Sequence, residues 1–229
     1  MPDGIVDLYS FLLGGPAAES TAVSGYTPIT YPLSLPPTGV RSITWSKEEV
    51  VSFTESPYNF KRFYYRHAGE RWKVTIDLSF MSRENAGKWE GFLLNLESGL
   101  RPFYFGDVFN TRPMGAAKGA PVISGAGQSG RVVNTRGWEA SISDQLKAGD
   151  KLQINNNLYQ ITRNASSNSS GESTLNIWPS LKESYADGTS IILNNPRGIF
   201  RVNSPSQALE TTTLAGYAGG ISFEAIEAI

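Results

Sequence analysis

The sequence predicts a mainly β protein: a β-sandwich body with one amphipathic helix, at about residues 82–98, and an inserted small β-barrel. Three observations carry this prediction. Trp72, Val74, Ile76, Leu78 and Phe80 alternate with Lys73, Thr75, Asp77 and Ser79, and a period of two means a strand with one buried and one solvated face. The period then lengthens, with Trp89, Phe92, Leu93 and Leu96 at i, i+3, i+4 and i+7, the stripe of a helix laid on a sheet. Finally, 23 Gly and 13 Pro in 229 residues keep regular elements short and interrupted, as in β-rich folds.

The elements follow in order. The first forty residues read as an extended arm, because Pro28, Pro32, Pro36 and Pro37 interrupt every helical stretch. The spaced Tyr26, Tyr31 and Leu33 suit an arm that lies against something. Val50, Val51 and Phe53 suggest a strand, Pro57-Tyr58-Asn59 a turn, and Phe60 to Arg66 a second strand, all preceding the alternating Trp72–Phe80. Ser82 is the expected N-cap of the helix, Glu84 favours its dipole, and Gly99 stops it. Phe103-Tyr104-Phe105 reads as the next strand.

From Arg112 to Asn195 the character changes. Gly115 to Ala120 is rich in small residues and reads as a linker. Short β segments follow at Arg131–Thr135, Lys151–Ile154, Leu158–Arg163, Ser173–Trp178 and Ser190–Leu193. Asn155-Asn156-Asn157 suits a tight turn, since Asn tolerates positive φ. Five short strands in this span predict an OB- or SH3-like barrel over residues 111–196. Phe200 to Val202 and Ile221, Phe223 and Ala225 then rejoin the first sheet, so the body is discontinuous, 1–110 and 197–229.

Composition narrows the functions. Twenty basic and 21 acidic residues nearly cancel, which gives no electrostatic basis for a dedicated nucleic-acid or membrane-surface binder. Cysteine is absent, which excludes disulfides, thiolate metal sites and cysteine nucleophiles. The apolar run Leu8–Leu13 is too short to span a bilayer, so no membrane insertion is expected.

Each candidate for chemistry has a plainer reading. Gly125, Gly127 and Gly130 match the spacing of a dinucleotide loop, but the strand-like Arg131–Thr135 follows where a helix is needed. His67 is the lone histidine and reads as a surface-turn residue between strands. Among carboxylates, Glu48 and Glu49 are expected on opposite strand faces, and Asp144, Asp150 and Asp187 in turns. Asp107, after the aromatic strand, is the best-placed single acid but lacks an evident partner for hydrolytic chemistry. Tyr64, Tyr65, Trp72, Trp89, Phe103, Tyr104 and Phe105 read as core rather than as a stacking platform. Lys61, Arg62 and Arg66 are too few for a nucleic-acid footprint, and the sequons at Asn164 and Asn168 read as a polar loop. No catalytic, cofactor-binding or metal-binding residue is expected, and no cofactor.

The order of arm, alternating strand, capped Ser82–Leu96 helix, Gly99 and Arg101-Pro-Phe-Tyr-Phe-Gly-Asp107 resembles the distal tail proteins of long-tailed bacteriophages. The stretches Leu146–Ile154, Leu158–Ile161 and Asn194–Arg201 resemble small barrels inserted in such proteins. The resemblance spans roughly Val40 to Arg201. It implies a non-enzymatic structural virion protein of the phage tail tip, assembled in the host cytoplasm as a homo-oligomeric ring, usually a hexamer. That ring joins the tail tube protein to the tail-tip hub, meets the tape-measure protein and tail fibres, and passes DNA only as cargo. Another tail-tube or tail-completion protein, or a carbohydrate-binding tail-tip module, is the alternative.

Overall fold

Alternation and helical spacing dictate two layers around one aromatic core. The computed structural model of the chain describes residues 29–203, 212–214 and 217–228. From Tyr31 onward these residues form one compact unit. Its body strands are β1 (Leu33–Ser34), β2 (Val40–Glu55), β3 (Arg62–Leu78), β4 (Met81–Ser82) and β5 (Phe103–Gly106), with α1 (Arg83–Asn95) between the last two. The barrel holds β6 (Gly119–Ile123), β7 (Val132–Trp138), β8 (Lys151–Ile154), β9 (Asn157–Ile161), β10 (Glu172–Trp178) and β11 (Ile191–Ile192). The chain then returns to the body through β12 (Arg197–Val202), β13 (Thr212–Leu214), β14 (Tyr217–Gly219) and β15 (Ser222–Glu227).

The body sheet runs β1-β5-β12-β15-β3-β2, and a small sheet β13-β14-β4 lies beside α1. Trp72, Val74, Ile76 and Leu78 of β3 are buried, as the alternation requires. Against them pack Trp89 and Phe92 of α1 and Phe103, Phe105, Phe200 and Phe223 of the sheet. Edge-on ring contacts such as Phe92 with Phe103 at 5.6 Å knit the layers. Ser82 caps α1 by accepting from the Asn85 N–H at 3.5 Å.

Several boundaries differ from the expectation. The alternating strand ends at Leu78; Phe80 is exposed and Met81 takes the core position instead, just beyond the bond from Ser79 N to Gly39 O at 2.9 Å. The helix ends at Asn95, not near 98, since Glu97, Ser98 and Gly99 all adopt positive φ. Gly99 is required there: a Cβ would sit 2.5 Å from the Val202 carbonyl oxygen. The arm residue Tyr26 lies outside the described residues. Tyr31 and Leu33 do lie against something, namely this chain's own body: the Tyr31 hydroxyl donates to Asn95 O at 2.9 Å and Leu33 pairs with Phe103 in parallel.

The largest difference concerns residues 50–72. The three separate strands expected there are two continuous ones, β2 of 16 and β3 of 17 residues, paired as one long hairpin. Between the register pairs Glu49↔Glu70 and Val51↔Arg66, β2 advances two residues while β3 advances four. His67, Ala68 and Gly69 are therefore a bulge inside a strand, not a turn between strands.

The barrel closes through sheet order β11-β8-β9-β10-β7-β6 and a bridge between Val122 and Ser190. Asn155, at φ 51°, turns β8 into β9. At its base the departing β5 and returning β12 pair directly, Gly106 with Arg197, and Asn195 N donates to Thr111 O at 2.6 Å. Gly115–Ala120 is no free linker: β6 begins at Gly119, and a Cβ on Gly115 would meet Gln145 O at 2.3 Å. The barrel has its own core around Leu152, Tyr159, Leu175 and Ile177. Its Leu158 and Trp178 nevertheless belong to the body's core.

Candidate functional site

The acids singled out in the sequence are held in structural bonds. Asp107 is buried and accepts from Phe109 N and Asn110 N, both at 3.1 Å, and from Lys151 Nζ at 2.8 Å. Its counter-ion is thus a barrel lysine, not a second carboxylate. Burial pushes the Asp107 carboxyl up, but the Lys151 ammonium and Asn110 amide outweigh this and hold it below the usual range. Its stabilising contribution is therefore present above the ordinary aspartate pKa of 3.8 and lost as pH falls through the depressed value. Asp107→Asn is expected to lower unfolding stability by about 1–3 kcal/mol at pH 7 and to flatten the loss below pH ~4, as read by urea denaturation across pH.

Asp150 accepts the N–H groups of Met114, Gly115 and Lys147 and fixes the start of the barrel. Asp187 pairs with both terminal nitrogens of Arg136 and accepts from Gly125 N, which together hold it down at about 2. Asp144 receives the Asn164 amide, and Asn168 braces Ser170 and Glu172 through its side-chain oxygen. Gly125, Gly127 and Gly130 lie in the loop between β6 and β7, with no helix following.

Glu48 and Glu49 separate as strand neighbours must: Glu48 meets Arg71 at 2.6 Å, whereas Glu49 turns to the barrel. His67 is exposed, its Nε2 3.1 Å from Ser52 Oγ and its ring 4.8 Å from that of Tyr65. No buried acid completes a triad with this pair among the bonds of the described residues, and no group of three or more His, Asp or Glu in metal-binding arrangement occurs among them.

A cleft of about 670 Å³ opens at the junction of body and barrel, lined in part by Trp45, Trp72 and Trp178 with Glu49, Arg131 and Gln160. Its rings are already engaged. Lys151 Nζ sits 3.6 Å over Trp45, and Trp72 and Trp178 meet edge to face at 4.3 Å, both nearly buried.

Among the described residues, most of the exposed aromatics lie on the distal hairpin. Trp72, Trp89, Phe103 and Phe105 are core as expected, but Tyr64 and Tyr65 are not. With Phe53, Tyr58, Phe60 and Phe63 they stand out of the body at exposures from 60% (Phe53) to 95% (Tyr58). Opposed residues share a face in an antiparallel pair, so the register puts Phe53 and Tyr64 on one face, Phe63 and Tyr65 on the other. Both faces of the ribbon therefore carry exposed aromatic rings. Phe60, at the tip, adopts φ 54°, uncommon for a bulky residue, in the turn where its N–H donates to Ser56 O at 2.9 Å. The basic residues are used locally: Arg62 pairs with Glu55 and lies over Phe53, Lys61 lies over Phe63, and Arg66 pairs with Glu70. The sequence shows these aromatics but not their exposure, because an apolar strand residue reads as buried.

No protein-family model and no curated protein matches the chain. No helix among the described residues is long and apolar enough to cross a membrane.

Proposed function

We propose that this chain is a structural subunit of a bacteriophage tail tip, a distal tail protein that assembles into a ring between the tail tube and the tail-tip hub. The observation that carries this reading is the hairpin. A ribbon with exposed aromatic rings on both faces suits an interaction element, since monomeric proteins seldom expose large apolar patches. A ring needs heterologous contacts, in which one patch meets a different patch of the next copy. A projecting hairpin supplies one side, and the outer edge of β2, last in the sheet order among the described residues, offers the other by strand addition.

The opposite face of the body sheet suits passing DNA. It presents Ser42, Thr44, Ser46 and Thr75, with Lys73 offset by Glu224 at 2.9 Å and Asp77 bonded to Ser42 at 2.7 Å. A hydroxyl-rich, charge-balanced wall does not retain phosphates as a cationic wall would. The resemblance of the element order to that of distal tail proteins supports the virion setting, with the tube, hub and tape-measure proteins and tail fibres as partners.

Sedimentation and negative-stain microscopy test the assembly. The chain is expected to form closed rings alone or on its tube and hub proteins. Phe53→Ser with Tyr64→Ser is expected to weaken self-association by ~100-fold or more, since buried interface aromatics contribute about 2 kcal/mol each. A chain that stays monomeric with both partners present overturns the reading.

A further inference from the structure

We infer that the barrel sets the angle at which the hairpin leaves the body, through a clamp on Glu49 and Glu70. These two carboxylates are register partners on β2 and β3, directly opposite each other in the last regular pair before the bulge. Like charges so placed push strands apart. The barrel supplies what holds them. A single nitrogen, Arg131 Nη2, donates to Glu49 Oε1 at 3.0 Å and to Glu70 Oε1 at 2.9 Å. Trp178 Nε1 donates to the same Glu49 oxygen at 2.6 Å, and Ser180 N to Glu70 Oε2 at 2.7 Å. From the body, Arg66 pairs with Glu70, while Lys47 stands 3.9 Å from Glu49.

Beyond this pair the ladder slips, and the extra residues of β3 border an open pocket of about 630 Å³ together with Ser180, Leu181 and Lys182 of the barrel. A bulge with room beside it, containing Ala68 and Gly69, is built to bend. Glycine has steric use there, as a Cβ on Gly69 would sit 2.8 Å from Val50 Cγ2. The hinge is thus flanked on one side by the regular sheet and on the other by barrel residues that grip its two acids. A partner that displaces the barrel loop 179–182 moves the hairpin with it, a hinge transition governed by few residues. The consequence for assembly rests on the hairpin being the self-association element; the mechanical coupling does not.

The absence of cysteine from the chain allows clean placement of spin labels at Tyr58→Cys on the hairpin tip and Ser169→Cys on the barrel surface. A control pair joins Gly87→Cys on α1 to Ser169→Cys. Labelled protein is diluted in unlabelled chain so that double electron–electron resonance reads distances within one copy. Arg131→Met is expected to shift or widen the 58–169 distribution about twofold and leave the 87–169 distribution unchanged. Adding Glu70→Gln to Arg131→Met is expected to narrow it again, because one of the facing charges is gone. Unchanged distributions in Arg131→Met, or equal changes in both pairs, overturn the clamp. Arg131→Lys is read in parallel and is expected to widen the distribution less. If Arg131→Met does not fold, a wild-type distribution in Arg131→Lys counts against the clamp. Sedimentation of unlabelled protein separates the two readings, since a monomeric wild type refutes the ring and leaves the distance result standing.

Discussion

Trp89→Ala is expected to destabilise the body by about 3–5 kcal/mol, the usual cost of removing a fully buried aromatic side chain. The indole is completely inaccessible to solvent and sits where α1 meets the sheet, 5.7 Å from the Phe92 ring and 6.3 Å from the Phe223 ring. It also ties α1 to the segment before β2, because Nε1 donates to Thr38 O at 2.6 Å. That segment fits the indole closely: a Cβ on Gly39 would lie 2.9 Å from Nε1 and 2.6 Å from Met81 Cε. Alanine therefore opens a cavity and orphans a carbonyl, two costs that add. Trp89→Phe keeps much of the volume and loses the donor, so it is expected to fall between. Urea denaturation monitored by far-ultraviolet circular dichroism gives the ranking; a loss below ~1 kcal/mol in Trp89→Ala contradicts the packing account.

What the sequence reveals of this molecule depends on distance along the chain. Trp72 to Leu78 and the stripe Trp89, Phe92, Leu96 are readable because burial imposes a period on neighbouring residues. The change to a second sheet is readable too, because turn residues such as Asn194-Asn195-Pro196 stand between β11 and β12. The hairpin is hidden twice over. Gly69 beside His67 and Ala68 resembles a turn although it is a bulge, and Phe53, Tyr64 and Tyr65 carry the same apolar signal whether core or surface. Asp107 stands out as an acid after an apolar strand, yet its cation, Lys151, lies 44 residues away. Arg131 reaches Glu49 across 82 residues and Glu70 across 61. Nothing local encodes such pairs. Across the junction they share one polarity: Asp107, Glu49, Glu70 and Glu227 belong to the body, and Lys151, Arg131 and Lys182 to the barrel. Ion pairs at such a junction add little net stability, so this polarity is expected to key the barrel to one docking geometry more than to stabilise it.

The pair of Lys182 and Glu227 gives that keying its sharpest test. Both side chains are buried, with the lysine 9% and the glutamate 1% exposed. Glu227 also accepts from Trp72 N at 3.1 Å, and the Lys182 N–H donates to the Tyr159 hydroxyl at 3.2 Å. Burial lowers the Lys182 ammonium and raises the Glu227 carboxyl, each in spite of the other's opposing charge. Lys182→Met is expected to cost about 3–5 kcal/mol at pH 7, because it strands the carboxylate without a counter-charge. The sign of the pH dependence follows. Glu227, raised above its ordinary 4.5 in the folded chain, favours folding when protonated. That contribution is complete below pH 4.5 and disappears as pH rises through the raised value. Lysine offsets this at neutral pH; methionine cannot, so the deficit of Lys182→Met is expected to be large at pH 7 and small near pH 4.5. Replacing both residues, Lys182→Met with Glu227→Met, is expected to recover much of this loss, since apolar pairs of similar volume often equal buried ion pairs, less the cost of leaving the buried Trp72 N–H without its acceptor. Urea titrations of the three variants at both pH values decide the matter. A single variant equally unstable at the two pH values, or a double variant no better than the single, would show that packing rather than charge joins β15 to the barrel.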